Sequence, residues 1–224
     1  MLRLSLDAKA RVNIGLFDRG GKNRITVETN DHDFNPKTTL TPYGIFIPEF
    51  DELFLYFTAS TVTSDFIVDI LEDFWESEKS RFEKIKTLII NQDNGPENNS
   101  RRTQFMKRIV EFSQKYQVNI RLAYYPPYHS KYNPIERTWA VLENPWNGSI
   151  LDEIETALKF AQTMTWKGKH PIVKLITETY EKGVKLTKKA MEKIEEKIER
   201  LTESTNQDFP DLGQWFIDIY YDKT

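Results

Sequence analysis

The chain has 224 residues, of which 39% are hydrophobic and 13% aromatic, so it can bury the core of one large domain and is not disordered throughout. It contains no cysteine, which excludes disulfides, thiolate metal sites and a cysteine nucleophile. Because the net charge is −3, any attraction to nucleic acid must come from local clusters of basic residues. No apolar run approaches the roughly 18 residues that span a bilayer, and the N-terminus has no signal-peptide pattern, so we expect a cytoplasmic protein.

The first half of the chain alternates between strand and helix patterns. Residues 2–6 predict a strand that ends at Asp7, and glycines at positions 15, 20 and 21 suggest a strand pair up to Asn30. Prolines at positions 36, 42 and 48 indicate an irregular connection before a third strand at 53–59. A helix, a strand at 85–91, a helix at 102–116, a strand at 118–124 and a helix at about 134–142 follow.

This order of elements matches a ribonuclease H-like fold, an α/β class with about five strands, the first three antiparallel, in a mixed sheet flanked by helices. Composition alone supports only a mixed α/β class. From Ile150 the pattern is helical to the end, and residues 182–202 are rich in Lys and Glu. We therefore predict a ribonuclease H-like domain at residues 1–166 and a helical C-terminal extension at residues 167–224.

Three carboxylates stand at the ends of predicted elements. Asp7 ends the first strand, Asp93 ends the most apolar strand, and Glu136 lies in the first turn of the helix after the last strand. Phosphoryl transfer with two Mg²⁺ ions needs several carboxylates that converge, and hard cations prefer oxygen ligands. The fold can bring such residues together although they are far apart in sequence.

Each carboxylate also has an ordinary structural explanation. Asp7 alone could be a common strand-end residue, and residues 93–96 (Asp-Asn-Gly-Pro) form a good turn sequence. Asn133 as N-cap, Pro134 at the first helical position and Glu136 at the third form a capping-box pattern. Position alone does not decide between these explanations and catalysis.

Three segments together resemble the DDE transposases of bacterial insertion sequences, in the mariner-like and integrase-like superfamily. They are residues 4–9, 91–98 and 125–137, and the last is the most specific, because a Pro-rich strand exit leads into an Asn-Pro-Ile-Glu helix start with Trp139 one turn later. With residues 142–148 included, the chain most resembles the ISAzo-type branch. The resemblance implies a ribonuclease H-like fold and Asp7, Asp93 and Glu136 as catalytic ligands of two Mg²⁺ or Mn²⁺ ions.

Basic and polar residues near these segments are candidates for DNA binding. They lie in the loop before Glu136, beside Glu136, and after the Asp93 segment: His129, Ser130, Lys131, Arg137, Arg101 and Arg102. Such residues can hold phosphates and release counterions from DNA. The alternative is a solvated surface, with Arg137 paired to Glu136.

The resemblance implies a transposase catalytic domain that cleaves DNA strands and transfers them to a target. Its partners would be transposon ends and target DNA, its active form a homodimer or a higher oligomer, and its location the bacterial nucleoid. A helix-turn-helix region usually precedes the first catalytic strand in such proteins, so we expect an excised domain or a truncated gene product. Two alternatives stay open: a ribonuclease H-like nuclease without strand transfer, and a non-catalytic remnant that binds DNA or a partner.

Overall fold

The computed structural model describes residues 1–17, 36, 38–126, 129–200 and 215–222. Within these residues the chain forms nine strands and five α-helices. In chain order they are β1 (Leu2–Ala8), β2 (Val12–Ile14), β3 (Thr38–Ile47), β4 (Glu52–Thr58), α1 (Ser64–Glu78), β5 (Thr87–Gln92), α2 (Thr103–Tyr116), β6 (Asn119–Tyr124), α3 (Glu136–Glu143), α4 (Ile154–Thr163), β7 (Ile172–Ile176), α5 (Lys188–Glu195), β8 (Ile198–Arg200) and β9 (Phe216–Ile219). Short 3₁₀ helices occupy Lys79–Phe82 and Ser130–Tyr132.

The chain divides into two compact units, each made of separate stretches of sequence. The first unit comprises Met1–Leu6, Val62–Asn133 and Tyr180–Thr224, and the second comprises Asp7–Thr61 and Pro134–Thr179. Strand β1 therefore passes from the first unit into the second at Asp7. The expected domain boundary between residues 166 and 167 stays a prediction.

The first unit is built on parallel strands. β5 pairs in parallel with β1 and with β6, β9 pairs antiparallel to β6, and β8 pairs antiparallel to β9. Helix α1 begins at Thr63, whose side-chain oxygen accepts a hydrogen bond from the Phe66 amide (3.2 Å), the usual N-cap contact. Helix α2 packs on α1, and Arg108 donates to Asp65 (2.9 Å) and Asp69 (2.8 Å) on α1.

The second unit contains an antiparallel region and a hydrophobic core. β3 pairs antiparallel to β2 and β4, and β7 pairs in parallel with β4. The core joins these strands to α3 and α4, and consists of Val12, Ile14, Leu40, Phe46, Leu53, Leu55, Phe57, Ile135, Trp139, Leu142, Trp146, Leu151, Ala157, Ala161 and Met164. Helix α3 is thus fixed through its apolar face.

The mixed α/β class is confirmed, but the described residues hold more strands than the expected five. The proline-containing stretch, expected to be irregular, forms the ten-residue strand β3, in which Pro42 lies opposite Phe57. The apolar side chains from Leu40 to Ile47 are buried, and this burial outweighs the missing N–H of a proline. The strand pair expected up to Asn30 is represented by β2, and residues 18–35 lie outside the described part.

The prediction that the C-terminal extension is helical was wrong. Among its described residues, β7, β8 and β9 are strands, and α5 covers only Lys188–Glu195 of the stretch rich in Lys and Glu. Pairing explains the difference, because residues 172–176 add to the edge of β4 and residues 216–219 add to the edge of β6. No helix in the described part of the chain is long and apolar enough to cross a membrane.

Candidate active site

Asp93 directly follows β5, a strand in the interior of the parallel part of the first unit. In the register of this unit, Asn91 on β5 lies opposite Ser5 on β1, and Gln92 lies opposite Tyr124 on β6. Asp93 therefore leaves the sheet at the carboxyl ends of three parallel strands, where ligands bind in α/β folds. In sequence, Asp7 comes two residues after Ser5, as Asp93 comes two residues after Asn91.

A network of hydrogen bonds holds the Asp93 carboxylate. The side-chain amide of Asn98 donates to Asp93 Oδ1 (3.1 Å) and to Gln92 Oε1 (3.2 Å). The Tyr124 hydroxyl in turn donates to the backbone oxygen of Asn98 (2.9 Å). Asn98 and Tyr124 are 5% and 4% exposed, and burial raises the pKa of Tyr124, so the phenol stays a neutral donor.

Gly95 gives the Asp93 carboxylate the space that it occupies. A Cβ atom on Gly95 would lie 3.0 Å from Asn98 Oδ1 and 3.1 Å from Asp93 Oδ2, which is tighter than an ordinary contact. The glycines with positive φ in the described residues are Gly15, Gly148, Gly168 and Gly183, so Gly95 is not needed for a left-handed turn. A left-handed turn at Gly95 therefore does not explain the Asp-Asn-Gly-Pro sequence.

Asp7 lies near the end of β1 and belongs to the second unit. The indole Nε1 of Trp139, on α3, donates to Asp7 Oδ2 at 2.8 Å. Trp139 is 7% exposed and lies in the core of the unit, so this donor cannot move freely. Beside it, Lys9 forms a salt bridge with Glu143, also on α3. Helix α3 is thus tied to the residues that follow β1.

Glu136 is the first residue of α3, not the third position of a capped helix. Ile135 precedes the helix and makes no side-chain capping bond. The Asn133 side chain, which the sequence had suggested as the cap, donates instead to the backbone oxygen of Leu6 (2.9 Å) and accepts from the Ser5 hydroxyl. The capping-box explanation of Glu136 was therefore wrong, because the side chain of Asn133, the expected N-cap, is hydrogen-bonded to Ser5 and Leu6 inside the first unit.

The chemistry of the three carboxylates fits a hard divalent cation. All three supply oxygen, and Asp7 and Asp93 each accept a hydrogen bond from a neutral N–H donor, as ligating carboxylates usually do. Among the described residues, no group of three or more His, Cys, Asp or Glu side chains is arranged as a metal site. The gathering of Asp7, Asp93 and Glu136 around metal ions stays a prediction.

The loop before α3 groups three of the DNA-binding candidates. His129 and Lys131 are exposed, the His129 ring stacks on Tyr132 with centroids 5.9 Å apart, and Lys131 Nζ lies 5.2 Å from the Tyr132 ring centre. Ser130 begins a 3₁₀ turn, but its side chain lies outside the described part of the structure. Two backbone bonds, from the amides of His129 and Tyr132, close the turn.

The remaining basic candidates have different surroundings. Arg101 and Arg137 are exposed, whereas Arg102 forms a salt bridge with Glu97 (3.2 Å) within the Asp93 loop. Arg101 and Arg102 are therefore neighbours in sequence with separate environments. Arg137 follows Glu136 in the first turn of α3.

Several residues of the site have no role that sequence reasoning could assign. Trp139, Asn98 and Gly95 hold or accommodate Asp7 and Asp93, and Asn133 holds Ser5 and Leu6, which directly precede Asp7. The signal for Trp139 was its position one turn after Glu136 on an apolar helix face. The partners of Asn133 had no local signal, because Ser5 and Leu6 are distant from it in sequence, whereas Asn98 lies close in sequence to Gln92 and Asp93.

The fold is that of a ribonuclease H-like α/β domain. The family model described as "Rhodopirellula transposase DDE domain" matches residues 2–219, and the chain belongs to this family. A solved structure, "Mos1 transposase paired-end complex with left transposon end", is similar with a TM-score of 0.52 and 10% identity. The match covers 70% of this chain and 46% of the Mos1 chain, so this chain corresponds to less than half of that protein. No curated protein matches the sequence.

Proposed function

We propose that the chain is a metal-dependent DNA strand-cleaving and strand-transferring domain in which Asp7, Asp93 and Glu136 are the ligands of two Mg²⁺ or Mn²⁺ ions. The observation that carries the proposal is the contact between Trp139 and Asp7, since the helix that begins with Glu136 also holds Asp7 through Trp139. One element thus positions two of the three carboxylates. Asp93 supports the proposal through its place after β5, which pairs in parallel with β1.

We assign the following roles to the residues of the chain. Asp7, Asp93 and Glu136 present carboxylate oxygens, while Trp139 and Asn98 orient two of them before the substrate binds. Divalent cations, when bound, would supply activation of a water or a DNA 3′-hydroxyl and neutralisation of charge on the phosphate. His129, Ser130, Lys131 and Arg137 would contact phosphates of the DNA backbone.

Arg101 and Arg102 complete the proposed contacts to DNA. Arg101 is exposed and can approach a phosphate directly. Arg102 forms a salt bridge with Glu97, so its contribution to DNA binding should be smaller than that of Arg101. The Mos1 structure is, by its title, a complex with a transposon end. We propose DNA as the partner of this chain too, with two or more copies in the active assembly.

The test is a plasmid-nicking assay with Mn²⁺, combined with thermal melts of the same preparations. Wild-type protein should nick DNA and should gain melting temperature when Mn²⁺ binds the folded state. Asp93→Asn should lose nicking by orders of magnitude and should lose most of the metal-induced rise. Asp152→Asn changes an exposed aspartate before α4 and serves as the matched control.

The two readouts separate the alternatives. Joining of the cut strand to a second DNA is measured in the same nicking reactions, and nicking without joining would point to a nuclease without strand transfer. An equal metal-induced rise in wild type and Asp93→Asn would mean that the cations bind elsewhere, and the proposed ligand set would then be wrong.

A further inference from the structure

A polar pocket lies beside the loop that follows Asp93, and the proposed metal chemistry does not use it. It is lined by Asn94, Asn99, Ser100, Arg101 and Trp215, all within the first unit, and its volume is about 330 Å³. Pockets for small organic ligands begin at about 300 Å³. The space therefore suits one small ligand with polar groups.

The topology of the first unit explains why Trp215 reaches this loop. β9 runs antiparallel to β6, with Phe216 opposite Ala123, and β6 runs parallel to β5, with Tyr124 opposite Gln92. The start of β9 therefore lies where β5 and β6 end. Trp215 immediately precedes β9, so its partly exposed indole arrives beside the residues that follow Asp93.

The wall of the pocket is already ordered by hydrogen bonds. The Asn94 side chain accepts from the Ser100 amide (3.0 Å), and the Asn99 side chain accepts from the Arg101 amide (2.9 Å). The Arg200 guanidinium donates to the backbone oxygen of Ser100 (2.7 Å). A ligand would therefore meet a formed loop, which lowers the entropy cost of binding.

The lining offers three kinds of binding group, and one class of ligand can use all three. An indole face stacks on a base, an exposed guanidinium pairs with a phosphate, and side-chain amides donate to and accept from the edges of a base. A base inside a duplex has both faces covered, so it could not use the indole. We propose that this nucleotide pocket binds one unpaired nucleotide of a DNA strand, with its base on Trp215 and its phosphate on Arg101.

This inference rests on the proposed function, because the strand concerned is the DNA that is cut beside Asp93. It adds a contact that depends on the base being unpaired, and not only on the charge of the backbone. Trp215 would then favour DNA that is frayed or distorted near the cleavage site over a continuous duplex.

The experiment measures binding by fluorescence anisotropy in EDTA, so that the result does not depend on metal. The probes are a labelled oligo-dT strand and an abasic strand of equal length and charge. Trp215→Ala should weaken binding of oligo-dT by about five- to a hundredfold and leave the abasic strand unchanged. Trp215→Phe, the matched control, should keep most of the preference for bases. Arg101→Ala should weaken both strands and reduce the salt dependence.

A second measurement covers the case in which Trp215→Ala does not fold, as judged by its melt. Wild-type protein is irradiated with oligo-dT that carries one 5-iodo-deoxyuridine, and the cross-linked peptide is mapped. Cross-links to Trp215 or to residues 94–101 support the pocket. Cross-links elsewhere, wild-type binding by a folded Trp215→Ala, or an equal loss of binding to both probes in Trp215→Ala would each overturn it. Any of these results leaves the metal-dependent melts of Asp93→Asn unaffected.

Discussion

Asp93 in the first unit is held by an amide inside a loop, whereas Asp7 in the second unit is held by an indole that is part of the hydrophobic core. The Asn98 network can change without any loss of apolar packing, because it consists of hydrogen bonds next to the end of a strand. The contact between Trp139 and Asp7 cannot change without a loss of apolar packing, since the side chain that donates to Asp7 also fills the core beside β3 and β4. We therefore expect function and stability to be separable at Asp93 and coupled at Asp7.

The largest effect should come from Glu136, the half-buried first residue of the core-packed helix α3. Glu136→Gln keeps size and helix propensity while removing a charge from the proposed metal site. Because α3 has no side-chain cap, the change has no capping contact to break, and the metal-free melting temperature should stay constant or rise. DNA nicking should fall by orders of magnitude.

Glu143→Gln, at the other end of the same helix, is the control for this experiment. It removes a partner of Lys9 and should leave nicking close to wild type. A stable Glu136→Gln protein that nicks DNA at the wild-type rate would remove Glu136 from the site, and with it the main argument for a DDE mechanism in this chain.

Local patterns predicted the elements that carry the acidic residues, but not what holds those residues. The apolar run of β5 and the helix after β6 follow from periodicity, and the segments around Asp7, Asp93 and Glu136 identified the family that the matching family model confirms. Their role as metal ligands stays a prediction. The contact that holds Asp7 is a pairing with the distant Trp139, which no local pattern encodes, whereas Asp93 is held by Asn98 within its own loop.

The errors of the sequence analysis have the same physical origin. Asn133 next to Pro134 fits an N-cap locally, yet its side chain is satisfied by Ser5 and Leu6 on another strand. Residues 172–176 were assigned to a helical extension, yet they gain a strand partner in β4. In each case, tertiary contacts outweighed a local preference of about 1 kcal/mol or less.

An intermediate effect is expected at Trp139, where a substitution can separate the packing of the ring in the core from the hydrogen bond to Asp7. Trp139→Phe keeps an aromatic ring in the core and removes the N–H that donates to Asp7. Hydrogen bonds to charged groups contribute about 1.5–3 kcal/mol, so nicking should fall roughly ten- to a hundredfold, together with the metal-induced rise in melting temperature. Some loss of stability should accompany it, because the smaller ring leaves space.

Trp146→Phe is the matched control for that loss of stability. Trp146 is fully buried in the same core, and its N–H donates to the backbone oxygen of Ala157 (3.1 Å), which is not part of a proposed metal ligand. Its replacement should lower the melting temperature to a similar extent and leave nicking per folded molecule unchanged. Equal losses of nicking in both variants would show that Trp139 acts through general stability and not through Asp7.

The smallest effects should come from two glycines, one in each unit, and they test the comparison directly. A Cβ on Gly44 would overlap Ile135 Cδ1 and lie 2.9 Å from Trp139 Cη2, so Gly44→Ala overpacks the core and should cost about 1–3 kcal/mol of stability. A Cβ on Gly95 would press more gently, on Asn98 and on the Asp93 carboxylate. Gly95→Ala should therefore lower nicking several-fold, because small misplacements of a ligand are costly, and should leave the melting temperature nearly constant. Melts and nicking assays on both variants decide the matter. If Gly95→Ala loses as much stability as Gly44→Ala and still nicks DNA normally, the Asp93 loop has a structural role. Function and stability would then not be separable at Asp93.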